Sequence, residues 1–490
     1  MDPRTPVLVG CGQTKQRCDD PADAREPLAL MVEAAERAAD DAGSRDLLGQ
    51  LDSIRVPKGL WPYTNAAALL RDRFGCTGAQ TASGPIAGST VQRMLSHAAV
   101  EIQAGKRDCV LLVAAEAEHT KRRSKQAGLE LAWTEQPDAW PDETFDSDAG
   151  WTPWEERYRG MPPAVFALYE NALRAARGES LADHRARVGR LWAGFSRVAA
   201  DNPYAWIREP MSAEAIATPS DANRWIAFPY TKFLVANMVV DLGAAVIVCS
   251  VEAARRHGIP EDRWVFPWAA TDVHTTTPMG VRASFHDQAA LGTAGRRALA
   301  LAGVEADQLG PVDLYSCFPS AVQIAADELG LGTDRPLTVT GGLTFSGGPF
   351  NSYVMHALAT LMNRLRGPDR GQLGYSSGIG SYMMKHAAAV YSSEPPEQGY
   401  RYEDVTAEAQ SPTLDWDESY TGRVQIETVT QLTDRDGSHP RILVAGRTEA
   451  SPPARVWATS DDPDLLASLP REEFCGRTAR VRTGGTFELL

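Results

Sequence analysis

The chain has 490 residues, a formal net charge of −14, 43% hydrophobic residues and 23% charged residues. This length exceeds what one hydrophobic core usually supports, so two or three folding units are expected. The acidic balance disfavours nucleic acid and anionic lipid as partners, and no run of about eighteen apolar residues predicts a membrane span.

The seven cysteines include no CxxC pair, so they predict neither a disulfide framework nor a metal site. The first residues, MDPRTPVLVGCG, lack the charged, apolar and cleavage regions of an export signal. These features together predict a cytoplasmic protein with small-molecule partners.

The first half alternates strands and helices. Short apolar runs such as PVLVGC (6–11) and VLLVAA (110–115) predict strands, and an Ala-rich segment at 34–42 predicts a helix. Such alternation indicates sheets with helices on both faces. A Trp-rich insertion at about 117–235 interrupts this half, and insertions on an α/β scaffold commonly cap a site.

The second half repeats the first. AAERAADDAGSRDLLGQLDSI (34–54) matches AGRRALALAGVEADQLGPVDLY (294–315), with helix-ending Gly43 or Gly303 and with Asp52 or Asp313 opening a strand. SGPIAGSTVQRMLSHAAVEI (83–102) then matches SGGPFNSYVMHALATLMNRL (346–365) in the same order. We therefore predict a duplicated α/β fold, with halves at 1–255 and 256–398.

The sequence pattern changes in the last part of the chain. From residue 422 on, GRVQIETVTQL, RILVAGRT, ARVWATS, CGRTARVRT and TFELL are short alternating strands, with one brief helix at DPDLLASL. Residues 399–490 are predicted to form a small all-β barrel of the OB kind. Their acidic balance disfavours nucleic-acid binding, although a partner protein remains an option for this barrel.

Several segments resemble those of the thiolase superfamily, whose members condense or cleave acyl-CoA thioesters. NMVVDLGAAVIV (237–248) resembles "N…DGAAAVIV", GGLTFSGGP (341–349) resembles "GGAIALGHP", and DLYSCFPSAV (313–322) resembles the Asn-Glu-Ala-Phe or His-Asp-Cys-Phe loop. IQAGKRDCVLLVAAEAEHT (102–120) is similar to "IKAG…D…GGVESM". The likeness covers about residues 5–396 and is strongest to thiolase-like proteins of the acetyl-CoA acetyltransferase type with an added C-terminal domain.

The resemblance implies a five-layer αβαβα fold with two mixed, mostly parallel sheets. It also implies a coenzyme A thioester as substrate, no bound cofactor or metal, and a monomer or homodimer. The chain departs from the family pattern at the reactive positions. Gly88 stands where thiolases carry the nucleophilic cysteine, Gly348 replaces the histidine of "GHP", Gly374 replaces the second cysteine, and Tyr315 replaces the histidine of the His-Asp-Cys-Phe loop.

The remaining reactive groups give a predicted catalytic set of Cys317, His356 and His386. Cys317 precedes a predicted helix, where a helix N-terminus can lower a thiol pKa, and a neutral imidazole at His356 or His386 is a candidate base. The alternatives are a buried structural cysteine for Cys317, a core histidine hydrogen-bonded to a carbonyl for His356, and an exposed surface histidine for His386. Backbone N–H groups near Gly88, Gly348 and Gly378 are predicted to hold an acyl or enolate oxygen, because glycines free the N-terminus of a buried helix.

Four further side chains are considered for the site. Ser89, Tyr315 and Lys232 are predicted to contact substrate, with a solvated lysine as the alternative for Lys232. GYSSG around Ser376 matches the G-x-S-x-G nucleophile elbow, but the long helix that should follow an elbow is missing from the pattern.

The predicted function is therefore Claisen-type acyl transfer or retro-aldol cleavage on acyl-CoA thioesters with a non-standard site. The alternative is a catalytically inactive binding or scaffold protein with this fold. Convergence of Cys317, His356 and His386 on one cavity separates the two.

Overall fold

The computed structural model describes residues 1–145, 151–158, 162–432 and 438–490. The first half contains one six-stranded sheet and its helices. In chain order these elements are β1 (Pro6–Lys15), α1 (Pro27–Ala42), β2 (Ser53–Pro57), α2 (Ala66–Phe74), β3 (Gln80–Gly84), α3 (Thr90–Gln103), β4 (Cys109–Ala117), α4 (Glu118–Ala127), β5 (Glu143–Thr144), α5 (Pro153–Tyr158), α6 (Pro162–Ala176), α7 (Leu181–Asp201), α8 (Ala213–Ala217), β6 (Trp225–Ala227), β7 (Tyr230–Thr231), β8 (Asp241–Ser250) and α9 (Val251–Arg256).

The second half contains a five-stranded sheet, and the C-terminal part is a barrel. The second half comprises β9 (Phe266–His274), α10 (Ala289–Ala302), β10 (Leu309–Asp313), α11 (Pro319–Leu329), α12 (Gly342–Phe345), α13 (Tyr353–Arg366), β11 (Leu373–Gly380), β12 (Lys385–Ser392) and β13 (Arg401–Asp404). The barrel comprises β14 (Asp415–Trp416), β15 (Gly422–Leu432), β16 (Arg441–Thr448), β17 (Ala454–Ser460), α14 (Pro463–Ser468), β18 (Thr478–Arg482) and β19 (Thr486–Leu489).

The two halves share one topology, which confirms the duplication. The first sheet has the order β1-β8-β4-β2-β3-β5 and the second has the order β10-β11-β12-β9-β13. In both sheets the sequence of pairings is antiparallel, antiparallel, parallel: β1 with β8, β8 with β4 and β4 with β2 correspond to β9 with β12, β12 with β11 and β11 with β10. Both sheets are therefore mixed.

The matched helices end as the sequence predicts. Gly43 follows α1 with φ 76° and Gly303 follows α10 with φ 71°, so each glycine supplies the left-handed residue that closes a helix. Asp313 differs from the expectation, because it ends β10 instead of opening it. This position places its carboxylate at the carboxyl end of the strand.

The helices α3 and α13 form the central layer of the fold. Both contact strands of each sheet, while α1 covers the outer face of the first sheet and α10 covers the outer face of the second. Ten of the fourteen residues of α13 are buried as a result. This arrangement is the predicted five-layer αβαβα fold.

The edge of the first sheet is covered from within the chain. The two-residue strand β5 pairs in parallel with β3, and the Phe145 N–H donates to the Ser83 carbonyl at 3.0 Å. Just before β5, the Asp142 carboxylate accepts hydrogen bonds from the backbone and hydroxyl of Thr81, both at 2.8 Å. The segment after α4 thus occupies part of the edge of β3.

The barrel confirms the sequence prediction in strand number and position. Strands β15 to β19 close into a five-stranded barrel through the contact of β17 with β19, and α14 lies where the brief helix was expected. The short strand β13 lies within the predicted C-terminal unit, yet it pairs with β9 of the second sheet. The second sheet therefore extends past the predicted boundary at residue 399.

Hydrogen bonds from two buried arginines attach the barrel to the rest of the chain. Arg174 of α6 binds Glu473 through two hydrogen bonds of 2.6 Å, and Arg455 of β17 donates to the carbonyl of Arg282 at 3.0 Å. Within the barrel, Glu427 of β15 forms an ion pair of 2.8 Å with the fully buried Arg455. Among the residues described, no helix combines the length and apolar character needed to cross a bilayer.

Candidate functional site

The residues just before α3 meet the loop after β10 between the two sheets. A Cβ atom placed on Gly88 would lie 2.2 Å from the Tyr315 hydroxyl oxygen, 2.3 Å from the adjoining ring carbon and 2.4 Å from the Ile379 carbonyl oxygen. Such distances are far below van der Waals contact, so only glycine fits at this position. The Tyr315 phenol thus fills the space that a side chain at residue 88 would need.

A buried hydrogen-bond network positions the loop that carries Tyr315. The Asp313 carboxylate accepts from the Tyr353 hydroxyl at 2.9 Å, from the Thr338 hydroxyl at 2.9 Å and from the Val339 N–H at 3.0 Å. The Tyr353 ring packs edge-on against Tyr315, with centroids 5.7 Å apart. Burial raises the pKa of Asp313 to about 6, and these donors favour its ionised form.

This network is the part of the site that the sequence analysis missed. The signal was present in Asp313 itself, since a buried acid at the carboxyl end of a strand needs several donors. The Tyr315 hydroxyl has no hydrogen-bond partner among the residues that the structure describes. Burial raises the pKa of Tyr315, so its phenol is a neutral hydrogen-bond donor at physiological pH.

Gly378 and Ser89 complete this centre. A Cβ on Gly378 would lie 2.7 Å from the Ser89 Cα and 2.8 Å from the Gly88 carbonyl oxygen, so β11 approaches the start of α3 through a glycine. Ser89 is buried and precedes α3 as its N-cap, without a capping hydrogen bond from its side chain. The structure therefore brings together four of the predicted residues, Gly88, Ser89, Tyr315 and Gly378.

Gly348 does not offer a free backbone donor. Its N–H donates to the Asn237 carbonyl at 2.8 Å, and it packs beside Leu343 and Ala236. A donor already used within the protein cannot hold a substrate oxygen. The expected contribution of Gly348 to an oxyanion site is therefore contradicted by the geometry.

Cys317 lies on the same loop, two residues after Tyr315. Burial raises the pKa of its thiol, whereas the sequence analysis expected the following helix to lower it. The hydrogen bonds from nearby backbone N–H groups, including that of Phe318, oppose this effect without overcoming it. The thiol is protonated at neutral pH, which makes it a weak nucleophile.

His356 is fixed on the side of α13 that faces the first sheet. Its Nδ1 lies 2.9 Å from the Gln13 amide oxygen on β1, and burial lowers its pKa to about 3. Its Nε2 is buried and has no hydrogen-bond partner among the described residues. The ring is thus a neutral, buried imidazole with one unused nitrogen.

His386 lies on the opposite face of the second sheet from Gly378. It pairs with Ile379, next to Gly378, and successive residues of a strand point to opposite faces. Its ring borders a cavity of about 10 Å³ lined by α10 and α11, with Nε2 bound at 3.0 Å to the Met383 carbonyl. Burial lowers its pKa to about 3. His356 thus contacts Gln13 on β1, whereas His386 contacts the turn between β11 and β12, and neither ring hydrogen-bonds to Cys317 among the described residues. The predicted convergence of Cys317, His356 and His386 is therefore absent from the hydrogen bonds of the described residues.

Two further predicted residues lie outside this centre. Lys232 is exposed, with its Nζ 5.4 Å from the ring centre of Phe233. Ser376 is a buried residue in the middle of β11, paired with β12, so GYSSG is strand and not a nucleophile elbow. In the described part of the chain, no group of three His, Cys, Asp or Glu residues is arranged to hold a metal ion.

Comparisons with known proteins agree with this architecture. The family model of the thiolase-like protein type 1 additional C-terminal domain matches residues 404–486. A monomeric SCP2-thiolase-like protein type 1 from Mycobacterium smegmatis is 30% identical over 100% of both chains, with a TM-score of 0.81. No curated protein matches the sequence.

More distant structures share the fold over about four fifths of this chain. An Ltp2–ChsH2(DUF35) aldolase is 17% identical over 80% of this chain and 98% of its own, with a TM-score of 0.60. The Acat5 thiolase from Ascaris suum, solved with coenzyme A, is 13% identical over 79% of this chain and 99% of its own, with a TM-score of 0.57. The duplicated sheets and the paired central helices thus define a thiolase-superfamily protein.

The C-terminal barrel and the full-length similarity to the Mycobacterium smegmatis protein identify the family within this superfamily. The chain belongs to the SCP2-thiolase-like proteins of type 1.

Proposed function

We propose that this protein binds acyl-CoA thioesters without forming an acyl-enzyme at the head of α3. The observation that carries the proposal is the Tyr315 phenol, which fills the space beside Gly88 where a nucleophile would project. Support for a CoA ligand comes from the family and from the Ascaris suum thiolase, which was solved with coenzyme A. Binding at the fold's central helices then continues without the covalent step.

The other candidate nucleophile does not replace the missing one. Cys317 carries a protonated thiol, and neither histidine forms a hydrogen bond with it in the described structure. A thiol needs an adjacent base or a lowered pKa to attack a thioester. Claisen-type acyl transfer through a covalent intermediate is thus the least supported of the predicted reactions.

Intact-mass spectrometry and calorimetry test this proposal together. We expect acyl-CoA and 3-ketoacyl-CoA compounds to bind by calorimetry while the mass of the protein stays unchanged. The Cys317→Ala variant is the matched control, and it should bind equally well. An acyl adduct in the parent that disappears in this variant would show a covalent enzyme, and an absence of binding would refute a thioester ligand.

A second candidate function is retro-aldol cleavage of a β-hydroxyacyl-CoA, which needs no nucleophile. The observation that favours it is the Tyr315 hydroxyl, which lies beside the positive end of α3 and has no partner among described residues. In this reaction a base removes the β-hydroxyl proton, the bond between Cα and Cβ breaks, and the carbonyl product leaves. The enolate is then protonated at Cα. Tyr315 and the backbone N–H groups at Gly88 and Gly378 would donate to the thioester oxygen. His356 is the proposed base through its Nε2, which has no hydrogen-bond partner among the described residues.

Product analysis distinguishes the two candidates. Incubation with 3-hydroxyacyl-CoA compounds should release an aldehyde or ketone if the chain is a lyase, and Tyr315→Phe should slow this release. Removal of one donor to a developing oxyanion costs about 10² to 10³ in rate. No release of a carbonyl product, together with intact binding, leaves the binding function.

A further inference from the structure

A groove lined by four arginines lies between α7 and the loop at 333–338. Its volume is about 470 Å³, which is within the ordinary range of small-molecule sites. One wall is formed by Arg187, Arg190 and Arg197 of α7, and the other includes Arg335.

The helix α7 presents its arginines along a single face. Residues 187, 190, 194 and 197 follow the spacing that places side chains on one side of a helix. Gly194 lies in the middle of this face, and a Cβ there would meet only the tip of Arg197, at 3.7 Å. The glycine therefore leaves the centre of the groove open between the flanking arginines.

The four guanidinium groups are not equivalent. Arg187 is held by Glu179 at 2.5 Å and by Gln323 at 2.7 Å, so its charge is already paired. Arg335 donates to the carbonyls of Leu309 and Gly310, which orient its guanidinium without neutralising it. Arg190 and Arg197 are exposed on the wall of α7.

The groove is positively charged, whereas the whole chain carries a net negative charge. The chain carries a formal net charge of −14, yet Asp334 is the one acidic residue among the described residues that line the groove. Like charges held close together repel, and Arg190, Arg197 and Arg335 have no acidic partner in the described part of the chain, so they are most favourable with an anion between them. Guanidinium groups match phosphate oxygens in paired hydrogen bonds, and this recognition is stronger than that by a neutral donor.

Packed side chains separate the groove from the Tyr315 centre. Phe195 lines the groove and touches Gly342, where a Cβ would lie 2.6 Å from the Phe195 ring and 2.7 Å from the Ser316 hydroxyl oxygen. The contact is thus continuous from the groove wall to the residue after Tyr315. The groove is a separate site, one packing layer away.

We propose that this groove binds the diphosphate group of a small-molecule ligand. Arg190 and Arg197 clamp the phosphates from α7, and Arg335 approaches from the opposite wall. Free pyrophosphate, a nucleoside diphosphate and the nucleotide part of coenzyme A all carry this group. The assignment does not depend on thioester binding, because pyrophosphate alone tests it.

Calorimetry with pyrophosphate, ADP and coenzyme A in parallel examines the site. The test protein is the full chain with Arg190→Ala and Arg197→Ala combined. The matched control combines Arg73→Ala and Arg370→Ala, two exposed arginines elsewhere, so both proteins lose two positive charges. Each lost charged hydrogen bond should weaken binding about tenfold, and the pair about 100-fold, while the control should bind like the parent.

The pattern across ligands identifies the source of the diphosphate. If coenzyme A loses affinity in parallel with pyrophosphate, the groove holds its nucleotide part. If coenzyme A keeps its affinity while pyrophosphate and ADP lose theirs, a free diphosphate is the ligand and coenzyme A binds elsewhere. Equal pyrophosphate affinity in the test and control variants would overturn the assignment, and so would an absence of pyrophosphate binding to the parent at low salt, where screening is weakest.

Discussion

Gly88→Ala should destabilise the protein because of Tyr315, and the size of the effect follows from the local packing. The added methyl carbon would lie 2.2 Å from the phenol oxygen and 2.4 Å from the Ile379 carbonyl oxygen. Neither group can retreat freely, because Ile379 belongs to the paired strand β11 and the Tyr315 ring packs against Tyr353. Overpacking of this kind costs about 1 to 3 kcal/mol.

A double-mutant cycle with Tyr315→Leu isolates the contact with the phenol. Leucine removes the two nearest atoms, so Gly88→Ala should cost at least about 1 kcal/mol less in the Tyr315→Leu background. Urea unfolding of the four proteins measures the free energies. Gly78→Ala serves as a control, because no atom of the described residues lies within 4 Å of a Cβ at that position. An equal cost of Gly88→Ala in both backgrounds would refute the idea that Tyr315 closes the nucleophile position.

Three further predictions concern other parts of the chain. Glu427→Ala leaves the fully buried Arg455 without its carboxylate partner, so it should lower the free energy of unfolding by about 3 kcal/mol in a urea titration. Glu449→Ala removes an exposed ion pair of the same barrel and should lower it by less than about 1 kcal/mol. Burial raises the pKa of Glu116 from 4.5 to about 8, so the folded state binds a proton that the unfolded state releases between these values. The free energy of unfolding should then fall as pH rises through this window, and Glu116→Gln should abolish that fall; parallel curves for parent and variant would contradict it. Iodoacetamide should alkylate the native protein once, at the half-buried Cys18, and should leave the buried Cys317 unmodified until urea is added. Intact mass gives the number of adducts, and peptide mapping after digestion gives their position.

The sequence predicts the fold well because short local patterns, such as helix-ending glycines, mark the repeated elements. Gly43 and Gly303 end equivalent helices, and each conformation depends on the glycine and its immediate neighbours. The barrel strands are equally predictable from the sequence, because each shows alternating apolar and polar residues and is bounded by turn residues. The pairing of β13 with β9 was not predictable, because β13 is short and the pairing is long-range.

The site was less predictable because its chemistry depends on which way side chains face. His386 and Gly378 lie on neighbouring strands, but their registers place them on opposite faces of the sheet. His356 bonds to Gln13, more than 300 positions earlier in the chain, and no local pattern indicates this contact. The same holds for Tyr315, whose replacement of a family histidine was visible in the sequence while its approach to Gly88 was not.

The small strand β5 has a consequence for self-association. A second copy that tried to extend the first sheet past β3 would find Ser83 and Thr81 already engaged with Phe145 and Asp142. The second copy would first have to displace residues 142–145, and the hydrogen bonds that it then formed would only replace those already present within the chain. Residues 142–145 therefore act as an internal competitor for the place that a neighbouring molecule would take.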